Sequence, residues 1–207
     1  MIADAGAPGA RGRRAEFLDR DGVLIADTHH LRSADQLCVL PGVPEALVRL
    51  RAAGWALIVA TNQSVVARGW VSEEELRQVH RVLMAILRER GASLDAIYYC
   101  PHHPEGAVPE YRVVCECRKP NPGMVLRAAA ELGLDLSASV MVGDAASDIE
   151  AGRRAGCRTV LVRTGPAETV AGGAAAPDYV ATDLDAAAAW ILALPPHSGS
   201  PEGERDG

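Results

Sequence analysis

The chain has 207 residues, 48% of them apolar, enough to bury one well-formed core and too few for two full-sized domains. Its 21 Lys+Arg against 27 Asp+Glu give a formal charge of −6, which removes the broad basic surface that nucleic acid requires but leaves room for local positive charge at a small-anion pocket. No apolar run reaches the ~18 residues of a bilayer span, and MIADAGAPGARGRRAEF lacks the apolar core of a secretion signal, so a soluble cytoplasmic protein with no membrane or nucleic-acid partner is expected.

Residues 1–14, rich in Ala, Gly and Arg, read as a solvated tail with Arg11, Arg13 and Arg14 in water. Short Val/Ile/Leu-rich runs then alternate with longer segments of helical period, the pattern of an α/β fold with a parallel sheet and flanking helices. A strand is predicted over 15–18 (AEFL), then a helix over 42–53 ended by Gly54, and a strand over 55–60 (WALIVA). A helix follows over 72–90, opened by the capping-box pattern Ser72-x-x-Glu75 and closed by Gly91, then a strand over 96–99 (AIYY). A helix over 122–132 has Pro122 early and Gly133 after it; next come a strand over 139–142 (SVMV), a helix over 147–155 ended by Gly156, strands over 159–163 and 178–181, and a helix over 183–193. Residues 195–207 offer nothing apolar to bury and read as a second tail, which confines the single domain to 15–194. Phe17, Trp55, Tyr98 and Tyr99 are expected in the core, Cys38 and Cys157 as small apolar packing residues, and His80 on the surface of its helix.

In an open α/β sheet, ligands bind outside the carboxyl ends of the strands. Here those positions read DRDG after 15–18, TNQS after 55–60 and GDAASD after 139–142. Asp19 and Asp21 are two carboxylates two apart, with Gly22 permitting a sharp exit turn. Their mutual repulsion calls for a cation, and Mg²⁺, a hard ion that takes carboxylate and phosphate oxygens together, suits them; Asp144, with Asp148 one helical turn later, offers further ligands. Thr61 and Asn62 can donate to phosphoryl oxygens without adding charge, Lys119 offers a point charge and Arg118 a planar fork for phosphate. These parts suit phosphoryl transfer through a covalent aspartyl-phosphate. Asp19 would attack phosphorus, and Asp21 would protonate the departing oxygen and then deprotonate the hydrolytic water.

The loop YYCPHHPEGAVPEYRVVCECRKPNP holds Cys100-x-His102, a gap of twelve residues, and Cys115-x-Cys117. Three thiolates and one imidazole make up a closed tetrahedral Zn²⁺ site with no open position for water, so this zinc would be structural. Spacing leaves His103 open as an alternative to His102, and free thiols or a strained Cys115–Cys117 disulfide as alternatives to metal. The loop runs directly into Arg118 and Lys119, so the metal would fix where those cations point.

FLDRDGVL, VATNQS, CRKPNPG and MVGDAASDIEAG resemble the four ordered motifs of the haloacid dehalogenase (HAD) superfamily of phosphohydrolases. Within it, TNQSVVARG, YYCPHHPEG and CECRKPNPGM most resemble the heptose 1,7-bisphosphate phosphatases, with the histidinol-phosphate phosphatases as near relatives. The resemblance implies a Rossmann-like core with no large cap domain, Mg²⁺ dependence, and a small-molecule sugar bisphosphate as substrate; a monomer is expected. It makes Asp19 the nucleophile and Asp21 the general acid/base, with Mg²⁺ on Asp19, the Asp21 backbone and Asp144, and Zn²⁺ on Cys100, His102, Cys115 and Cys117. It assigns phosphoryl stabilisation to Thr61 and Lys119, and substrate contacts to Asn62, Gln63, Ser64, Arg118 and the segment Asp27, Thr28, His29 and His30. The chain departs from the pattern at Ala145, where a lysine is usual, and at His29-His30-Leu31. The activity implied is removal of the C7 phosphate of D-glycero-D-manno-heptose 1,7-bisphosphate on the way to nucleotide-activated heptose. The rivals are histidinol-phosphate hydrolysis, whose zinc loop has a shorter gap, and a receiver-like phospho-acceptor, which would not place DxD after the first strand.

Overall fold

Alternation along the central strands decides the architecture. It sends Phe17, Ile58 and Met141 to one face of a sheet and Leu18, Leu57, Val59, Val140 and Val142 to the other, so both faces must be covered. The computed structural model describes residues 2–3, 12–28, 30–165 and 176–195. Its strands are β1 (Ile2–Ala3), β2 (Ala15–Leu18), β3 (Ala56–Asn62), β4 (Ala96–Cys100), β5 (Val140–Gly143), β6 (Arg158–Val162) and β7 (Tyr179–Ala181). The helices are α1 (Val43–Ala52), α2 (Glu73–Glu89), α3 (Gly123–Leu132), α4 (Ala146–Ala155) and α5 (Leu184–Leu192).

The sheet order is β1-β4-β3-β2-β5-β6-β7, parallel throughout except for β1. After the edge strand β1 the chain enters the parallel sheet at β2, builds outward through β3 and β4, then returns to the other side of β2 with β5. That reversal opens a crevice at the carboxyl ends of β2 and β5. Leu47 and Leu50 of α1, Leu83 and Leu87 of α2 and Ile191 of α5 pack on one face, while Met124 and Val125 of α3 and Ala155 of α4 pack on the other. The expected α/β fold with helices on both faces is what forms. Among the described residues, 19–42 carry one 3-10 turn, Ala34–Gln36, and the isolated bridges Asp21–Ile25 and Ile25–Val39, with no separate cap domain. No helix of the described residues is long and apolar enough to cross a membrane.

The capping box at α2 forms as the sequence predicts: the Glu75 amide donates to Ser72 Oγ at 3.1 Å and the Ser72 amide to Glu75 Oε2 at 2.7 Å. Other expectations need correction. Residues 1–14 are not a solvated tail throughout, because Ile2–Ala3 pairs antiparallel with Ala96 and Ile97 on the otherwise open edge of β4. Arg13 pairs with Asp95 at 3.0 Å, and the Arg14 guanidinium lies 4.4 Å from the centre of the Trp55 ring. Arg11 and residues 196–207 lie outside the described residues. His80 is fully buried, since α2 turns Leu76, Val79, His80, Leu83 and Leu87 inward on one stripe. Cys38 is exposed on a loop, whereas Cys157 is buried as expected. Phe17, Trp55 and Tyr98 are core residues; Tyr99 is half-buried and donates its hydroxyl to Glu73 at 2.7 Å.

Glu16 interrupts the apolar β2. It is fully buried with neither carboxylate oxygen partnered, and burial pushes its pKa up to about 8 from an ordinary 4.5. Between those two values the native state holds a proton that the unfolded chain releases. Glu16's contribution to stability is therefore fully present below pH 4.5 and is lost as pH rises toward 8, with a limiting slope of about 1.4 kcal/mol per pH unit. Thermal melts of the wild type and Glu16→Gln between pH 5 and 8 should show a shallower decline in Tm in the variant, most clearly between pH 7 and 8 where Asp19 and Asp144 no longer contribute; equal slopes there would contradict the assignment.

Candidate active site

The strand ends deliver Asp19 to Asp21 from β2, Thr61 and Asn62 from β3 with Gln63 just after it, and Asp144 just after β5. The Asp19 amide donates to the Val142 carbonyl at 2.9 Å, extending the β2–β5 ladder by one residue and fixing the backbone from which its carboxylate projects. Asp19 Oδ1 accepts the Arg20 amide at 2.8 Å and lies 2.9 Å from Lys119 Nζ. Lys119 is buried, donates to the Ala60 carbonyl at 2.7 Å, and stands 2.6 Å from Asp148 Oδ1. Burial alone would lower the lysine's pKa, but Asp148 and Asp19 reverse that and hold it above its usual value.

Asp148 thus has a different place from the one its spacing suggested. One of its oxygens lies with one each from Asp19 and Asp144 in a cluster within 4.8 Å that could hold a cation. Yet Oδ1 faces Lys119 and Oδ2 accepts the Ala145 amide at 3.0 Å, so it serves as the lysine's counter-charge and as a cap for α4.

Burial pushes Asp19 up to about 6, with Lys119 opposing and Asp148 and Asp21 adding to the shift. Burial, then Asp19 and Asp148, push Asp144 up to about 7. Carboxylates crowded in this way fit a hard divalent cation, and Asp19 with Asp144 could hold one. The backbone cradle makes the same point. A Cβ on Gly22 would fall 2.1 Å from Asp144 Oδ2 and one on Gly165 1.7 Å from it, so the carboxylate sits where only glycine leaves space.

Asp21 is gripped from behind. Arg20 Nη2 donates to its Oδ1 at 3.0 Å and Oδ2 at 2.9 Å, and Gln63 Nε2 donates to Oδ2 at 2.8 Å. Gln63 also donates to Thr61 Oγ1 at 3.0 Å and accepts from Arg20 at 2.9 Å, while Arg20 Nη1 lies 3.1 Å from His80 Nε2. Asn62 closes a two-point clamp on the peptide of Lys119, accepting its N–H at 3.0 Å and donating to its carbonyl at 3.1 Å. Both amides expected to meet substrate therefore also brace the site from within. Sequence reasoning missed Arg20 and His80; the signals were a long cation between two aspartates and a histidine on an apolar helical stripe.

A cleft of about 360 Å³ opens onto this cluster, lined by Asp19, Arg20, Asp21, Asp27, His30, Asn62, Gln63, Ser64, Asp144 and Ala145 among others. Thr61 and Lys119 are buried beside it. Thr28 is exposed outside its wall, and His29 lies outside the described residues. His30 meets the half-exposed Trp70 in a tilted ring contact at 4.8 Å between ring centres, with the guanidinium carbons of Arg32 and Arg68 at 4.3 and 5.3 Å from that ring.

In the loop, Cys100, His102, Cys115 and Cys117 converge. The thiol sulfurs are 3.2–3.6 Å apart and His102 Nδ1 is 3.3 Å from Cys117 Sγ. Disulfide sulfurs would stand about 2.05 Å apart, whereas tetrahedral zinc with bonds of about 2.3 Å spaces thiolates by roughly 3.8 Å, so the four side chains fit a zinc ion. His102 is the imidazole in the cluster; His103 Nδ1 accepts the Glu105 amide at 3.1 Å instead. Half-buried Arg118 donates to the His102 carbonyl at 3.2 Å, which ties the loop to the cation beside Lys119, although Arg118 does not line the cleft.

A family model described as HAD-hydrolase-like matches residues 116–187. The chain is 46% identical over 171 residues to a D-glycero-beta-D-manno-heptose-1,7-bisphosphate 7-phosphatase of Yersinia pestis, covering 82% of this chain and 90% of the relative. It is 46% identical over 187 residues to a D-glycero-D-manno-heptose-1,7-bisphosphate 7-phosphatase of Thermosynechococcus vestitus, covering 86% and 95%. Among solved structures, the D,D-heptose 1,7-bisphosphate phosphatase of B. bronchiseptica, complexed with magnesium and phosphate, superposes with a TM-score of 0.77 at 38% identity, over 86% of this chain and 98% of that one.

Gly22→Ala tests the Asp144 cradle, because the new Cβ meets Oδ2 and the φ of +76° disfavours any side chain. We expect kcat to fall about 100-fold, as for a misplacement of about 1 Å in a reacting constellation, and the Mg²⁺ concentration giving half-maximal activity to rise. Unchanged magnesium dependence would remove the cradle's role.

Proposed function

The chain belongs to the D-glycero-D-manno-heptose-1,7-bisphosphate 7-phosphatase family of HAD-like hydrolases, and from that membership we propose how its own residues carry out removal of the C7 phosphate of the heptose bisphosphate. One observation carries the reading: Asp19 is held through Oδ1 by Lys119 and the Arg20 amide, with Asp21 two residues on at the same cleft. Oδ2 of Asp19 attacks phosphorus and the bond to the C7 oxygen breaks. Asp21 gives that oxygen its proton, then takes one from the water that hydrolyses the aspartyl-phosphate and frees Asp19. Thr61 and Lys119 meet the phosphoryl oxygens, where a buried ammonium is worth more than in water. When bound by Asp19, Asp144 and the Asp21 backbone, Mg²⁺ supplies charge neutralisation at the phosphoryl group.

Substrate recognition falls to Asp27, Thr28, His29, His30, Asn62, Gln63, Ser64 and Arg118. The sugar and second phosphate have the cleft mouth to occupy. Arg118 is the fork suited to that phosphate, and its hydrogen bond to the His102 carbonyl supports a role for the loop in aiming it. Zinc on Cys100, His102, Cys115 and Cys117 would be structural. Three thiolate ligands endure where thiols stay reduced, which fits a cytoplasmic enzyme, and we take it to act as a monomer.

Phosphate release with Mg²⁺ from both anomers of the heptose bisphosphate, beside histidinol phosphate and with Asp19→Asn as the blank, tests the assignment. The heptose substrates should lead and the blank should be silent; preference for histidinol phosphate would overturn the substrate, and turnover in the blank the mechanism. Replacing Cys115 and Cys117 by Ser should abolish zinc content and raise KM severalfold through a loosened Arg118, with kcat changed less. Zinc-free protein with unchanged KM would detach the loop from recognition.

A further inference from the structure

One buried guanidinium links three elements around the site. Arg20 is fully buried, and its donors run to three different elements: Asp21 at the end of β2, Gln63 Oε1 after β3 at 2.9 Å, and His80 on α2 at 3.1 Å. A guanidinium can only donate, so His80 Nε2 must accept and the ring proton must sit on Nδ1. Burial, then the nearby Arg20 charge, hold His80 neutral, as that acceptor role requires. Nδ1 itself is buried with no partner, so the orientation of the ring is fixed by Arg20 and by its tilted contact with Tyr99 at 5.3 Å, not by a bond of its own second nitrogen.

The other side of Arg20 holds both oxygens of Asp21. Gln63 completes the bracket by donating to Asp21 Oδ2 and accepting from Arg20, so three side chains form a closed ring of hydrogen bonds. An arginine adjacent in sequence to the aspartate it holds has many rotamers, and only a fixed far end of the guanidinium selects one. His80 is that far anchor.

We propose that His80 is a positioning residue for leaving-group protonation: by accepting from Arg20 it locks the Arg20–Gln63 bracket that holds the Asp21 carboxylate at the cleft wall. The chemistry is that of the phosphatase reading, in which the carbon–oxygen leaving group of an alkyl phosphate departs only with a proton from Asp21. An aryl phosphate such as p-nitrophenyl phosphate departs as a stable phenolate and needs no such proton. Loosening Asp21 should therefore penalise alkyl substrates selectively.

The test compares kcat/KM for an alkyl phosphate and for p-nitrophenyl phosphate in the wild type, His80→Leu and His80→Gln. kcat/KM reports events up to departure of the leaving group, so hydrolysis of the aspartyl-phosphate does not enter it. The ratio of the two substrates is also independent of the fraction of enzyme correctly folded. His80→Leu should lower kcat/KM for the alkyl substrate about tenfold or more, part of the ~100-fold or greater contribution of a placed general acid, and for the aryl substrate less than about twofold. His80→Gln, whose Oε1 falls near the lost Nε2, should recover most of the difference. Equal loss on both substrates, no loss on either, a gain on the alkyl substrate, or a glutamine variant no better than leucine would each overturn the proposal. The alkyl arm uses whichever alkyl phosphate the wild type turns over, so failure of the heptose assignment leaves this test intact.

Discussion

The buried ammonium of Lys119 is the constraint on which the rest of the site depends. A lone charge in that position would carry a penalty of several kcal/mol. Here it stands 2.9 Å from Asp19 and 2.6 Å from Asp148, with the Ala60 carbonyl as a further acceptor. Those partners come from β2, α4 and β3, so the lysine can be neutralised only when these elements are assembled in register. Its peptide is held by Asn62, and the loop on which three cysteines and one histidine converge runs directly into it. Folding and chemistry thus share one electrostatic knot, and breaking any strand of it leaves a carboxylate or the amine buried without its partner.

Around that knot the two aspartates of the DxD sequence are treated differently. Asp19 is engaged at one oxygen by Lys119 and by the next residue's amide, while Asp21 has both oxygens engaged by side chains. The contrast matches a nucleophile that needs an accessible oxygen and an acid/base that needs a fixed location. Asp144 has a third treatment: two glycines, 22 and 165, press their backbones against it, so its position is set by close approach of main chain.

Much of this was legible in the sequence because it rests on periodicity and on strand ends. The polar residues after three apolar runs mark the crevice that the sheet reversal creates, and the two cysteine hooks mark four side chains that converge in space and could hold a metal ion. Less legible were side chains whose partners lie far away in the chain. Spacing could not separate Asp148 as a ligand from Asp148 as the companion of Lys119, since both need the same turn of helix. Asn62 and Gln63 look like free donors until the fold brings Lys119 and Arg20 against them. His80 needed only its place on the stripe of α2 to be recognised as buried, but its partner, sixty residues earlier, could come only from the tertiary structure. The Ile2–Ala3 strand carries too few residues for any pattern; what orders it is the open edge of β4.

The three tryptophans stand in unlike surroundings. Trp55 is buried beneath Arg14 at the amino end of β3, and Trp190 is stacked on Tyr179, both away from the crevice. Trp70 alone meets His30, which lines the cleft, and does so beside two arginines whose charge an incoming anion perturbs. Trp70 is therefore the indole whose emission is expected to respond when a phosphate-bearing ligand enters the cleft, whether or not any bond is broken.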